Sequence, residues 1–208
     1  MKTVAIIGAG ISGLAHADVL QRCGFQVQLF ERDSRVGGVW ARAYPGVSLQ
    51  NSAPQYHLSD RPWPFTPDEH PTGAQILRYL EELVVARKLQ VHLKHEVLQA
   101  RERAEGGWRL EIRGPEGERT EDFDHLIVSI GQYTEGKNRP KLPGEESFGG
   151  QVITERDVHD LSVFSGKKVV VVGFGKSALD MACFAAAQKA TVAQVFRTPR
   201  WTLPRTIF

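Results

Sequence analysis

The stretch Val4-Ala5-Ile6-Ile7-Gly8-Ala9-Gly10-Ile11-Ser12-Gly13 decides the fold. Its apolar half is typical of a buried strand, and the residues after the glycines predict a helix over 14–23. Gly8 suits the tight turn, Gly10 lets a ligand approach the backbone, and Gly13 lets the helix pack close to the sheet. The unpaired N–H groups and the positive dipole end at the start of such a helix favour the phosphates of a dinucleotide.

An acidic residue completes this pattern. The helix is followed by Gly24 and by a predicted strand over 25–30 that ends in Glu31. This carboxylate lies about 20 residues past the glycines, where a ribose hydroxyl needs an acceptor. The order strand, glycine turn, helix, strand and acid therefore predicts a Rossmann-like unit that binds a dinucleotide.

The composition is that of a soluble globular chain of one or two domains, with 208 residues, 41% hydrophobic and 24% charged. A net charge of +2 indicates neither a nucleic-acid nor an acidic-membrane partner. No apolar run approaches the ~18 residues of a membrane span, so we expect a cytoplasmic protein. Cys23 and Cys183 are expected to be small core residues, and the sequence has neither a metal cluster nor a CxxC pair.

The middle of the chain predicts a long irregular segment and then regular elements. Gly37-Gly38 favour a close backbone approach beside Trp40, and the Pro- and aromatic-rich stretch 40–71 favours loops over a site. Thr72 can cap a helix whose apolar positions are Ile76, Leu77, Leu80, Leu83 and Val84. Segments at 89–93, 96–100, 108–113 and 121–123 predict a small antiparallel meander, and 124–131 predicts a third parallel strand.

A second glycine loop, Gly173-Phe174-Gly175-Lys176-Ser177-Ala178, repeats the opening design. It lies between a valine-rich strand and a helix predicted from Ser177 to about residue 189, and a strand follows over 192–196. No acid closes this unit; its strand ends in Arg197, with Arg200 close behind, an arrangement that accommodates a 2′-phosphate and favours NADPH over NADH. Two loops of different type imply a fixed electron carrier at the first and an exchangeable hydride donor at the second.

Taken together, these residues resemble the flavin-containing monooxygenases and their Baeyer–Villiger relatives along nearly the whole chain. The resemblance rests on both glycine loops, Phe30-Glu31-Arg32, Gly37-Gly38-Val39-Trp40, Asn51-Ser52, Ser59-Asp60-Arg61-Pro62 and Arg197-Thr198-Pro199-Arg200-Trp201. It implies an enzyme that uses FAD, NADPH and O2 to oxygenate a small molecule at nitrogen or sulfur. Asn51 matches the family's active-site asparagine, whose amide gives fixed hydrogen bonds in a site that excludes water.

The resemblance also implies two sets of cofactor-binding residues. Those for FAD are Gly8, Ala9, Gly10, Ile11, Ser12, Gly13, Glu31, Arg32, Gly38, Val39, Trp40, Gln50 and Ser52. Those for NADPH are Gly173, Gly175, Lys176, Ser177, Ala178, Arg197 and Arg200.

Two departures from the family pattern bear on these expectations. The diagnostic stretch FxGxxxH begins at Phe148 and Gly150 but has Thr154 in place of its histidine, and Val158 stands at the later aromatic position. The second departure is length. We expect an FAD-binding domain over 1–146 and only a partial NADPH-binding domain over 147–208. A C-terminal part or a complementary chain would then be needed to cover exposed strand edges.

Two other classes of function share parts of this sequence pattern. A pyridine-nucleotide disulfide reductase is disfavoured because that chemistry requires a dithiol beside the flavin, and the sequence lacks CxxC. A non-catalytic or degenerate dinucleotide-binding module, or half of a split flavoprotein, stays open because of the short chain and Thr154.

Overall fold

In the computed structural model, residues 1–132 and 141–201 are described. The chain forms two compact units whose segments alternate along the sequence. The first unit contains Met1–Ala41, His57–Pro67 and 74–132; the second contains Arg42–Tyr56, Asp68–Gly73 and 141–201. The boundary expected at residue 146 remains a prediction.

The first unit is built on a parallel sheet of four strands in the order β3-β2-β1-β7. These strands are β1 (Thr3–Ile7), β2 (Gln26–Glu31), β3 (Val91–Leu93) and β7 (His125–Val128). Helix α1 (Ile11–Arg22) connects β1 to β2, and helix α2 (Gly73–Arg87) precedes β3. The opening strand–helix–strand prediction is thus confirmed.

The core of this unit lies where the helices bury their apolar faces. Its fully buried side chains include Ile6, Leu14, Leu29, Ile76, Tyr79, Leu80 and Leu83. Three of these, Ile76, Leu80 and Leu83, are apolar positions predicted for α2, so that predicted face is buried. A buried ion pair also joins the two helices: Arg87 Nε lies 2.7 Å from Asp18 Oδ1, although the two atoms are not aligned for a hydrogen bond.

The antiparallel meander has three strands, β4 (Glu96–Glu102), β5 (Trp108–Gly114) and β6 (Gly117–Phe123). Leu110 and Ile112 of β5 pack with Ala5, Phe30 and Phe123 in one buried cluster. Two details of the sequence prediction are wrong. Residues 91–93 belong to the parallel sheet beside β2 rather than to the meander, and β6 begins at Gly117 instead of Glu121.

The second unit contains another strand–helix–strand motif, β8 (Lys168–Val172), α3 (Lys176–Ala187) and β9 (Thr191–Val195), with the two strands parallel. Its buried cluster contains Val158, Phe164, Met181 and Ala185. The fold class predicted from the sequence is confirmed: an α/β protein with a Rossmann-like parallel sheet, a small antiparallel meander and the start of a second Rossmann-like motif.

Among the described residues of 41–72, the structure is irregular, as predicted, apart from a 3-10 turn over Ala53–Gln55 and two isolated β-bridges, Ser48 with Thr72 and Leu58 with Arg61. Within the second unit, the part that carries Asn51 is held by backbone hydrogen bonds. Leu49 N–H donates to Pro71 O at 2.9 Å, and Ala53 N–H donates to Glu69 O at 2.8 Å.

Candidate functional site

The first glycine loop joins β1 to α1, and its three glycines meet different surroundings. Gly8 has a φ of +97°, and a Cβ there would lie 2.5 Å from the carbonyl oxygen of Ser129. A Cβ on Gly13 would lie 2.0 Å from the carbonyl oxygen of Gly8. For Gly10, the nearest atom to an added Cβ is the Cα of Gly38 at 3.8 Å, an ordinary contact. The fold therefore requires glycine at 8 and 13, whereas Gly10 leaves space for a ligand.

The N terminus of α1 is chemically suited to an anion. Gly10 is its N-cap in an extended conformation, no described side chain caps it, and the first turn, which contains Ile11 and Ser12, has no acidic residue. The Gly37 N–H donates to Ala9 O at 2.9 Å, which holds the turn over Gly38–Trp40 beside the loop. Bare backbone thus lies at a positive helix end, the setting in which proteins bind phosphate.

Glu31 is buried, and backbone groups fix both of its carboxylate oxygens. Oε2 accepts a hydrogen bond from the Ala9 N–H at 2.8 Å, and Oε1 accepts one from the Asp33 N–H at 3.0 Å. Each oxygen keeps a second lone pair for another donor. The structure therefore brings the predicted acid directly to the first glycine loop.

A groove of about 480 Å³ begins next to this acid, at Arg32 and Asp33. Its lining also includes Lys94, which follows β3, and Arg113 near the end of β5. Sequence reasoning found Arg32 but missed Lys94 and Arg113. Lys94 follows β3 of the parallel sheet and Arg113 lies in β5 of the meander, so no local motif marks the two together. Val39 is about half exposed, and Trp40 ends the 3-10 turn.

The second glycine loop repeats the hydrogen bonds of the first. Gly173 N–H donates to Val195 O at 2.8 Å, as Gly8 N–H does to Phe30 O at 2.8 Å. At the start of the helix, Leu179 N–H donates to Gly175 O at 3.0 Å, as Leu14 N–H does to Gly10 O. Positions 8, 10, 13 and 31 of the first motif thus correspond to 173, 175, 178 and 196 of the second.

This second loop has the same openness at its middle glycine. A Cβ on Gly175 would meet nothing within 4 Å, while a Cβ on Gly173, whose φ is +131°, would lie 3.4 Å from the Ala178 Cβ. No described side chain caps α3, and its first turn has no acidic residue. The ammonium of Lys176, the first residue of α3, pairs with Asp180 one turn later.

The strand end of the second motif differs from the sequence prediction. Strand β9 ends at Val195, so the residue equivalent to Glu31 is Phe196, and Arg197 follows one position later. The Phe196 ring packs on Phe174, the equivalent of Ala9, with ring centroids 4.4 Å apart. Arg197 and Arg200 are exposed. An aromatic pair therefore stands where the first motif has its N–H to carboxylate bond.

Asn51 lies in the second unit together with Gln50 and Ser52. Its side chain is exposed, with the amide nitrogen 3.3 Å from Gln55 Oε1, and its carbonyl oxygen is 3.3 Å from His70 Nδ1. The structure thus places these three residues in the same unit as the second glycine loop. The residues of the first loop, with Glu31 and Gly38, belong to the other unit.

A polar cluster ties the Asn51 segment to α3. The Tyr44 hydroxyl donates to Asp180 Oδ2 at 2.8 Å and is also hydrogen-bonded to Ser177. Burial, followed by the hydrogen bond to Asp180, raises the pKa of the Tyr44 hydroxyl above its ordinary value. Asp180 therefore contacts both Lys176 and the segment that carries Asn51. The sequence analysis did not identify Tyr44 or Asp180. The available signal was the four-residue spacing between Lys176 and Asp180, which places both side chains on one face of a helix.

Thr154, which stands in place of the family histidine, has a local structural role. Its hydroxyl and its N–H both donate to Asp157 Oδ2, at 2.9 and 2.7 Å, in a capping box. Val158, at the family's aromatic position, is buried in the core of the second unit.

The cysteine prediction is wrong: Cys23 and Cys183 are both exposed. Cys23 directly follows α1, and Cys183 lies at an exposed position within α3, so a helical segment does not by itself place a cysteine in the core. In the described part of the chain, no helix is both long enough and apolar enough to span a membrane.

Comparison with known proteins now defines the class. The family described as pyridine nucleotide-disulphide oxidoreductase matches residues 5–206, and the chain belongs to it. Within that broad class the chain is similar to flavin-containing monooxygenases, which confirms the resemblance seen in its motifs. A flavin-containing monooxygenase of Arabidopsis thaliana is 32% identical over 97% of this chain and 52% of its own length.

Solved structures agree. The S-allyl-L-cysteine S-oxygenase of Allium sativum matches with a TM-score of 0.85 and 25% identity, covering 98% of this chain and 53% of that one. An oxidized steroid monooxygenase bound to NADP matches with a TM-score of 0.72 and 28% identity, covering 90% and 37%. This chain thus spans about half the length of the curated monooxygenase and of the S-oxygenase.

Proposed function

We propose that this chain provides the two nucleotide sites of a flavin-dependent monooxygenase. FAD would occupy the first glycine loop and NADPH the second, and the substrate would be a small molecule oxygenated at nitrogen or sulfur. The observation that carries this proposal is the repeated loop geometry with different closing groups: a buried carboxylate in one motif and an aromatic–arginine end in the other.

The first loop fits FAD better than a mononucleotide flavin. Gly10 and the N terminus of α1 provide space and positive potential for a pyrophosphate, and Glu31 keeps lone pairs for ribose hydroxyls. The groove beside Arg32, with Lys94 and Arg113, would take the adenine end. A flavin held on a dinucleotide loop needs an adenosine half, and only FAD has one.

The second loop fits NADPH. Gly175 and the N terminus of α3 would hold its pyrophosphate, with Ser177 and Ala178 in the first turn and Lys176 as a nearby cation. Arg197 and Arg200 would bind the 2′-phosphate through charge-assisted hydrogen bonds. The NADP-bound steroid monooxygenase that this chain resembles supports the assignment.

Bound FAD would supply the two-electron chemistry by which NADPH, O2 and a proton yield an oxygenated substrate, NADP⁺ and water. This chain's own residues would bind and orient. The Asn51 amide would donate and accept fixed hydrogen bonds, and the 42–56 segment would exclude water around it. Oxygenation at sulfur is supported by the likeness to the S-allyl-L-cysteine S-oxygenase.

The test is a flavin spectrum of the purified chain. We expect added FAD to remain bound after gel filtration, and bound flavin to bleach faster with NADPH than with NADH. The Gly10→Ala variant should lose flavin, while Gly175→Ala should keep flavin and lose the response to NADPH.

Three results would change the proposal. Bound flavin that NADPH never reduces would favour the non-catalytic module. No retained flavin, in a folded protein, would refute FAD binding by this chain alone. Reduction without oxygenation of amine or sulfide probes would leave the nucleotide sites in place and reject the activity for this length of chain.

A further inference from the structure

The Phe174–Phe196 pair is the most informative difference between the two glycine motifs. In the first motif, Ala9 leaves its N–H open to the Glu31 carboxylate, and the pair forms a 2.8 Å hydrogen bond. In the second motif, two phenylalanine rings in contact occupy the same two positions. The Gly8 N–H to Phe30 O and Gly173 N–H to Val195 O hydrogen bonds fix equivalent backbone positions in the two motifs, so the two pairs of side chains can be compared directly.

The acid at this position normally accepts a hydrogen bond from the ribose 2′-hydroxyl of a dinucleotide. Phenylalanine can accept none. A nucleotide with a free 2′-hydroxyl would therefore find no acceptor on either ring and would lose the hydrogen bond that the carboxylate supplies in the first motif. A 2′-phosphate avoids this cost because its oxygens extend toward cationic side chains.

We propose that the Phe174–Phe196 pair is a specificity determinant of the second nucleotide site, acting by exclusion. The pair disfavours nucleotides that carry a free 2′-hydroxyl, whereas Arg197 and Arg200 attract those that carry a 2′-phosphate. Selectivity would thus have a repulsive and an attractive component, as specific sites generally do. This inference rests on the proposed NADPH site at the second loop.

The proposal can be tested by placing the Ala9–Glu31 pair of the first motif in the second motif. The Phe174→Ala, Phe196→Glu double variant would give the second motif the same pair as Ala9 and Glu31. Phe196 is 42% exposed and lies beyond the end of β9, so its replacement removes little of the core. The matched control is Phe174→Ala, Phe196→Leu, which removes both rings without adding an acceptor.

The probes are 2′,5′-ADP and 5′-AMP, titrated by calorimetry into protein saturated with FAD so that the first loop is blocked. Gly175→Ala identifies the heat that belongs to the second loop. We expect the wild type to prefer 2′,5′-ADP. In the glutamate variant, 5′-AMP should bind about tenfold more tightly, as a charge-assisted hydrogen bond would give, whereas the leucine control should not show this gain.

The outcomes distinguish the proposed nucleotide site from the proposed role of the phenylalanine pair. If neither probe binds the wild type in a Gly175-dependent way, the nucleotide site itself is refuted, and this inference with it. If the wild type prefers 2′,5′-ADP but the glutamate variant gains nothing for 5′-AMP, the site stands and the exclusion role is wrong. Should the double variant fail to fold, the single Phe196→Glu substitution decides by the same criterion.

Discussion

The geometry of the first loop predicts opposite effects for two glycine-to-alanine changes three residues apart. In Gly13→Ala, the new methyl group would lie 2.0 Å from the Gly8 carbonyl oxygen, so α1 and the turn must move apart by about 1 Å to reach a tolerable contact. Overpacking costs about 1–3 kcal/mol, and contact with rigid backbone places this case near the upper end. Alanine regains up to about 1 kcal/mol through helix propensity. A net loss of about 2 kcal/mol results.

In Gly10→Ala, the new methyl group meets only the Gly38 Cα at 3.8 Å. The cost to the fold is that of a poorer N-cap, about 0.5–1 kcal/mol. The ligand, however, loses the opening beside the backbone. We expect FAD affinity to fall at least tenfold, or about 1.4 kcal/mol.

The assay compares the two variants twice. Thermal melts of the FAD-free protein should show a midpoint lowered by roughly 4–8 °C for Gly13→Ala and by much less for Gly10→Ala. Flavin fluorescence titrations below the melting range should show the larger loss of FAD affinity for Gly10→Ala. A Gly13→Ala melt equal to that of the wild type would refute the packing argument, and unchanged FAD binding by Gly10→Ala would refute the assignment of the opening.

Three further predictions concern other parts of the chain. Asp18→Ala should destabilise the first unit by about 3 kcal/mol in urea because it leaves the Arg87 guanidinium without its buried partner; Asp60→Ala, which removes a partner in an exposed pair, should cost less than about 1 kcal/mol. The pKa of Tyr44 is raised in the folded state, so its contribution to stability should be complete below pH ~10 and decline above it. In thermal melts compared across pH, Tyr44→Phe should therefore lose less stability above pH ~10 than the wild type does. Gly175→Ala should weaken NADPH binding at least tenfold without changing FAD retention; equal loss of both would contradict separate sites.

Local sequence signals predicted the two strand–loop–helix–strand motifs because glycine spacing, apolar runs and the acid at Glu31 all lie within about 30 residues of each other. They failed where a distant partner decides. The segment 91–93 is too short to show a hydrophobic period, and its parallel partner β2 lies far away in the chain.

Strand β6 was missed at its start for a different reason. Its residues are mostly charged, and its pairing with β5 includes cross-strand ion pairs such as Arg109 with Asp122, whose closest nitrogen–oxygen distance is 2.7 Å. A hydrophobic pattern cannot reveal such a strand. The cysteines show another limit of the sequence prediction: assigning a residue to a helix did not tell whether it lies on the buried or the exposed side.

The candidate site was predicted less completely than the fold, since loop residues carry no periodicity. The family resemblance marked Asn51, but only the structure shows what holds its segment. Asp180 accepts the Tyr44 hydroxyl hydrogen bond and pairs with Lys176 at the start of α3. Because one carboxylate serves both contacts, Asp180 links the start of α3 to the segment that carries Asn51 within a single unit, a connection between residues far apart in the sequence that no local pattern could reveal.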